Sequence, residues 1–288
     1  MKLLVRLLII LALFSNCRET TKSSTNVVAV VQEDNALSHI DIAGKTILER
    51  FDLPVGFKRV ELDSSSFESY LRNLPLKEAE EKVKYFDGRT KSKKNVYEAV
   101  VDLPIGKRDL HQCADAVMRL RAEYFYRQKK YDSIHFNFTN GFKANYSKWK
   151  KGQRIAVKGN DVSWINTSQP SDSYQTFWKY LEMVFSYAGT ASLEKEMKPT
   201  SLANMKIGDV FIKGGFPGHA VIVVDMAQNK NNGEKIFLLA QSYMPAQELQ
   251  ILKNPNDSEL SPWYSSKING QLRTPEWIFE KRQLKRFQ

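Results

Sequence analysis

The segment GDVFIKGGFPGHAVIVVDMA, residues 208–227, with IFLLAQSY at 236–243 behind it, constrains the fold more than any other part of the chain. Its apolar runs VFI and AVIVV have the length and β-branched content of buried strands, and turn-forming residues bound each of them. Gly214, Gly215, Pro217 and Gly218 form the connection. Asn231, Asn232 and Gly233 supply the next turn, so IFLLAQSY returns antiparallel to AVIVV. His219 stands at the mouth of the second strand, where its ring can meet both core and cleft. Pairing Val224 with Ile236 places Gln241 directly opposite it on the same face, and a slip of one residue places Ser242 there instead. Either side chain can hydrogen-bond an imidazole. Glycines 214, 215 and 218 leave room for a ligand backbone beside the ring.

A helix is written into GKRDLHQCADAVMRLRAEYFYRQKK, residues 106–130. Asp109 followed three residues later by Gln112 fits a variant capping box, which predicts a helix start with Cys113 in its first turn. Leu110, Cys113, Val117, Leu120 and Tyr124 then share one face. On such a face a cysteine is ordinarily a small hydrophobe, but the positive end of a helix favours a thiolate. In chain order the sequence offers a thiol, a histidine, and an amide or hydroxyl. That is the order of a cysteine hydrolase, in which the histidine takes the thiol proton and a third polar group fixes its ring.

The remaining pattern predicts an α+β fold. FDLPVGFKRV and NVYEAVVDLP read as strands and SFESYLRNLPL as a helix. DSIHFNFTNG is a half-buried strand with His135 pointing outward, away from any catalytic role, and a turn at Asn140–Gly141. YQTFWKYLEMVFSYAG is a packing helix with Gly189 as its C-terminal cap. Trp149, Trp164, Trp263 and Tyr264 are candidates to line a glycan or peptide groove, or to fill the core.

The first seventeen residues, MKLLVRLLIILALFSNC, combine Lys2 and Arg6 with an apolar stretch too short to span a bilayer. This predicts a signal peptide over 1–16, lipidation of Cys17 as in a bacterial lipobox, and a polar tether over 17–35. Asn16 stands where a Gly or Ala is usual. The expected location is therefore the cell envelope, anchored to the membrane by lipid. A lipidated Cys17 leaves Cys113 as an unpaired thiol in an oxidising compartment. The net charge of +11 is scattered, and its densest run, Lys91 to Lys94, reads as a solvated loop. With no nucleic-acid motif beside that charge, a nucleic-acid partner is not expected. Four histidines and two cysteines without zinc spacing give no metal site, and no dinucleotide or phosphate loop points to a cofactor.

QCADAV, GDVFI and GHAVIVV resemble the cysteine helix and histidine strand of the papain-like hydrolases of the NlpC/P60 kind. That resemblance implies a helix packed on an antiparallel sheet, with catalytic Cys113, His219 and Gln241, and cleavage of amide bonds, often in peptidoglycan peptides. Over about residues 51–279, DLHQCADAVMRLRAEY, FTNGF, YAGTASLEKEM, AQSYMPAQE, SPWY and TPEWIF resemble an uncharacterised family of exported bacterial proteins, DUF4846. On this reading 36–108 is an N-terminal α/β extension and 109–288 a papain-like core, with Gly214, Gly215, Gly218 and Ser242 around the substrate cleft. The expected function is amide hydrolysis in envelope peptides or peptidoglycan. The alternative is a non-catalytic envelope lipoprotein that binds a glycan or peptide in the same cleft.

Overall fold

The computed structural model describes residues 39–288, so the expected signal peptide and tether, and Cys17, lie outside the described residues. The chain runs through α1 (Ile47–Arg50), β1 (Phe57–Arg59), α2 (Phe67–Arg72), β2 (Tyr97–Val100) and α3 (Cys113–Arg127). Two hairpins flank a short helix: β3 (His135–Asn137) with β4 (Lys143–Asn145), α4 (Tyr146–Lys150), then β5 (Gln153–Lys158) with β6 (Asp161–Asn166). After α5 (Tyr174–Tyr187) and α6 (Thr190–Glu196) come β7 (Lys198–Pro199), β8 (Val210–Lys213), β9 (His219–Asn229), β10 (Lys235–Gln241) and β11 (Gln250–Leu252). The chain closes with β12 (Tyr264–Ser265), β13 (Gln271–Arg273), β14 (Ile278–Glu280) and β15 (Leu284–Arg286).

The fold is α+β, built on one antiparallel sheet of order β2-β11-β10-β9-β8-β15-β7, with β1 added on β9 and β12 on β10. The apolar runs at 210–227 and 236–241 form its centre. Every residue from His219 to Ala227 is buried, so polar-out alternation is absent and both faces of β9 are covered. Helices α2 and α3 pack against β9, and α6 against β8. Phe211, Phe237 and Tyr264 stack in series, with Phe279 tilted against Phe211. Trp263, Tyr264 and Trp149 are core residues, and Trp164 packs on Phe142. Burial of this apolar area takes three of the four aromatics proposed for a ligand groove out of solvent's reach.

The stretch 39–108 is woven into this sheet. β1 pairs with the far half of β9 and β2 with β11, and the described residues form one compact unit. Asp225, fully buried on β9, fixes that attachment: Arg59 Nε donates to its Oδ2 at 2.7 Å and Arg72 Nε to its Oδ1 at 2.6 Å. Removing one partner of a buried ion cluster strands the others, which typically costs about 3–5 kcal/mol. Asp225→Ala is therefore expected to lower unfolding free energy by roughly that amount in urea titrations, and a loss below about 1 kcal/mol contradicts the assignment.

At the other edge Asp209, of the GD pair, accepts from Arg286 Nε (2.6 Å) and Nη2 (2.8 Å), tying β15 to β8. Gly189 does not close α5. Ala188 does, and Gly189 instead precedes α6 in extended conformation, its N–H donating to Ser192 Oγ at 3.1 Å. Among the described residues no helix is long and apolar enough to cross a membrane.

Candidate active site

Helix α3 starts later than the Asp109–Gln112 spacing predicts. Gln112 is extended and Cys113 is the first helical residue. The cap comes from inside the helix, where Asp115 Oδ2 accepts the Gln112 N–H at 3.0 Å. Asp109 instead braces the approach to the helix, its Oδ1 accepting from Gln112 Nε2 (3.1 Å) and from the Ala246 N–H (2.6 Å). Ser242 secures the same approach loop, its hydroxyl oxygen standing 2.8 Å from the His111 carbonyl oxygen and 2.7 Å from that of Gln247, which share its one proton. Ser242 is fully buried in this support and does not meet His219. His111 is a buried structural residue, Nδ1 facing the Gln247 carbonyl, and burial pushes its pKa down to about 3.

His219 opens β9, and its Nε2 lies 2.8 Å from Gln241 Oε1. The strands meet in a different register from Val224 with Ile236. Ile236 pairs with Ala227, the register shifts between Leu238 and Leu239, and beyond that Ala240 pairs with Ile222. Gln241 therefore stands diagonally from His219, within reach of a long side chain on the same face. The Gln241 Nε2 donates to Glu276 Oε2 at 2.6 Å. That contact fixes the amide's orientation, so Oε1 accepts from the ring, Nε2 of His219 carries the proton, and Nδ1 is the basic nitrogen.

Glu276 also accepts from Lys91 Nζ at 2.6 Å, and Lys91 Nζ donates to Gln247 Oε1 at 2.9 Å. Lys91 is buried, against the expectation of a solvated loop, whereas Lys93 and Lys94 of the same run are exposed. Its ion pair with Glu276 supplies the compensation that a buried lysine requires. Sequence reasoning missed Glu276 and Lys91 because nothing local distinguishes them. Tyr243 and Trp277 were missed as well, and their rings stand 4.7 and 5.3 Å from the His219 ring, with Phe279 at 5.9 Å.

Burial controls the protonation states of His219 and Cys113. Burial pushes His219 down to about 4, against the opposing influence of the Gln241 hydrogen bond and the Glu276 charge. Burial, then the Asp115 carboxyl, pushes the Cys113 thiol up to about 11. Backbone N–H groups of Ala114, Ala220 and Cys113 favour the thiolate without offsetting that burial. The Ala220 contact sets the sulfur beside the residue that follows His219. The thiol makes no hydrogen bond to the imidazole in this conformation, so at neutral pH the pair rests as thiol and neutral ring. The helix-start preference for a thiolate is overridden by desolvation.

A groove of about 200 Å³ reaches Cys113, lined among others by Leu110, Asp115, Thr190, Phe216 and Met244. Gly215 and Gly218 lie in its wall. A Cβ at Gly218 would stand 2.3 Å from Thr190 Oγ1 and 2.4 Å from the Gly215 carbonyl, so only glycine allows this approach. Gly214 faces Glu194 instead, donating its N–H to Oε2 at 3.2 Å. His135 lies on β3, in a separate hairpin. A larger depression, about 790 Å³, lies at Val60, Met205 and Arg286 and shares no lining residue with the groove. Two of its three cations are engaged, Arg286 by Asp209 and Lys235 by the Ala203 carbonyl, and the third, Lys206, is exposed. Among the described residues no three His, Cys, Asp or Glu side chains are placed to hold a metal ion.

No curated protein and no solved structure matches the chain. A family described as a domain of unknown function (4846) matches residues 47–286, a span that takes in α3, the whole central sheet and every residue of the His219 cluster. By that match the chain belongs to the DUF4846 family.

Proposed function

We propose that the chain is a thiol-dependent amide hydrolase of the papain-like kind, acting on peptides of the cell envelope. Cys113 is its nucleophile, His219 its base and then acid, and Gln241 orients the ring. The observation that carries this reading is the 2.8 Å contact between His219 Nε2 and Gln241 Oε1, which leaves Nδ1 free to accept a proton beside a helix-start thiol. In the reaction the Cys113 proton passes to Nδ1 as sulfur attacks the amide carbonyl. The charge on the carbonyl oxygen meets N–H groups at the start of α3. The imidazolium returns the proton to the leaving amine, and water then cleaves the thioester. Glu276, through the Gln241 amide, faces the positive charge that develops on the ring. Because thiol and ring share no hydrogen bond at rest, substrate binding must align them.

That resting state, with both groups neutral and no hydrogen bond between them, also favours a second reading, a binding lipoprotein that keeps the cleft without turnover. In both readings a lipid on Cys17 holds the protein at the envelope membrane. Incubating the full chain with muropeptides and simple peptides separates them, with released amines and ligand binding measured in parallel. Amine release by the wild type, lost in Cys113→Ala with binding retained, is the hydrolase result. Equal binding by both proteins with no release assigns the binding role.

A further inference from the structure

The protein is strongly basic overall, with a net charge of +11, yet the groove at Cys113 has no Lys, Arg or His in its lining. Its only ionisable residues besides the thiol are Asp109 and Asp115. Asp109 is occupied by Gln112 and Ala246. Asp115 is different: it is only 6% exposed, Oδ2 accepts from Gln112, and Oδ1 is buried with no partner. A buried carboxylate oxygen without a partner is costly, and such atoms in folded proteins are normally satisfied. At the groove mouth stand two apolar side chains that the fold leaves in water, Phe216 at 95% and Met244 at 48% exposure. An acidic floor under an apolar rim is complementary to an ammonium group carried on an apolar body.

We infer that the groove beside Cys113 receives a primary ammonium group, from the amino terminus or an amino side chain of a peptide, with Asp115 as its counter-charge and Phe216 and Met244 covering the attached apolar atoms. The inference deepens the hydrolase reading by naming its ligand class, and it stands or falls without turnover. Burial holds the Asp115 carboxyl well above the ordinary carboxylate range, and an ammonium partner supplies the charge that lets it ionise.

Paired thiol reagents of opposite charge test this on the full chain. Aminoethyl methanethiosulfonate carries a primary ammonium and sulfonatoethyl methanethiosulfonate an anion. In each case the Cys113 thiolate displaces methanesulfinate and forms a mixed disulfide. Rates at Cys113, read by peptide mass mapping at pH 7, where a peptide amino terminus of pKa about 7.7–8.0 is still mostly charged, are divided by the rates with free cysteine. The expected normalised ratio favours the ammonium reagent by about 5-fold or more, despite the basic protein, and falls toward unity in Asp115→Asn. A wild-type ratio at or below unity overturns the inference whether or not the variant folds, as does an unchanged ratio in a folded Asp115→Asn. Failure of both reagents to reach Cys113 overturns it too. Protection of Cys113 by phenylalanine amide, but not by its N-acetyl form, assigns an amino terminus, and protection by Nα-acetyllysine amide assigns a side-chain amine. Protection by neither overturns the inference. Absence of hydrolysis with the charge preference intact would remove the enzyme reading alone.

Discussion

Cys113→Ala and His219→Ala are each expected to reduce amide turnover by about 10³- to 10⁶-fold, and the double variant by scarcely more. Nucleophile and base act in one step, so losing either removes the shared transition state and the second loss adds little. Gln241→Ala should cost less, about 10- to 1,000-fold, because the ring remains and only its orienting hydrogen bond goes. Steady-state kinetics on one amide substrate checks all four proteins. A Cys113→Ala loss below about 10-fold, or additive effects of Cys113 and His219, contradicts the assignment.

The thiol's reactivity should be low at rest. With Cys113 pushed up to about 11, its thiolate fraction at pH 7 is roughly 300-fold below that of an ordinary cysteine of pKa about 8.5, and iodoacetamide labelling should slow accordingly. Below that pKa the thiolate fraction rises tenfold per pH unit, so the rate should climb through pH 8, 9 and 10 rather than level off near 8.5. Asp115→Asn removes the nearby carboxyl and should speed labelling. Replacing His219 with Ala should leave the resting rate little changed, since no thiol–imidazole hydrogen bond holds the thiolate. Labelling faster than free cysteine, with a plateau below pH 8, would mean a preformed ion pair and would contradict the resting state described for the folded protein.

Much of the central sheet was legible because its signals are local. Continuous apolar runs, an Asn-Asn-Gly turn and a glycine loop specify β8, β9 and β10 without reference to the rest of the chain. Gln241 was legible for a subtler reason. The register drawn from Val224 differs from the observed one, and Val224 is the residue left unpaired where the ladder shifts, between Asp225 and Val223. Past that bulge the net displacement is two residues, and an even displacement keeps a side chain on its face. Ser242, one residue on, points to the opposite side for the same reason. Protonation states were not legible. The helix start that favours a thiolate is a sequence feature, but the burial that overrides it depends on tertiary packing, as does the enclosure of the His219 ring by Tyr243, Trp277 and Phe279. The Lys91–Glu276 pair joins side chains 185 residues apart, one from a run of lysines that locally reads as solvated.

A trapped acyl-enzyme would be the decisive observation for Cys113 as nucleophile. The full chain is mixed with muropeptides, quenched in acid within the first turnover, and digested, and the mass of the peptide carrying Cys113 is measured. The expected result is a thioester adduct equal to the acyl half of the cleaved amide on Cys113, absent from His219→Ala under the same quench. Amide cleavage that proceeds with no adduct on Cys113, and that persists in Cys113→Ala, would contradict it.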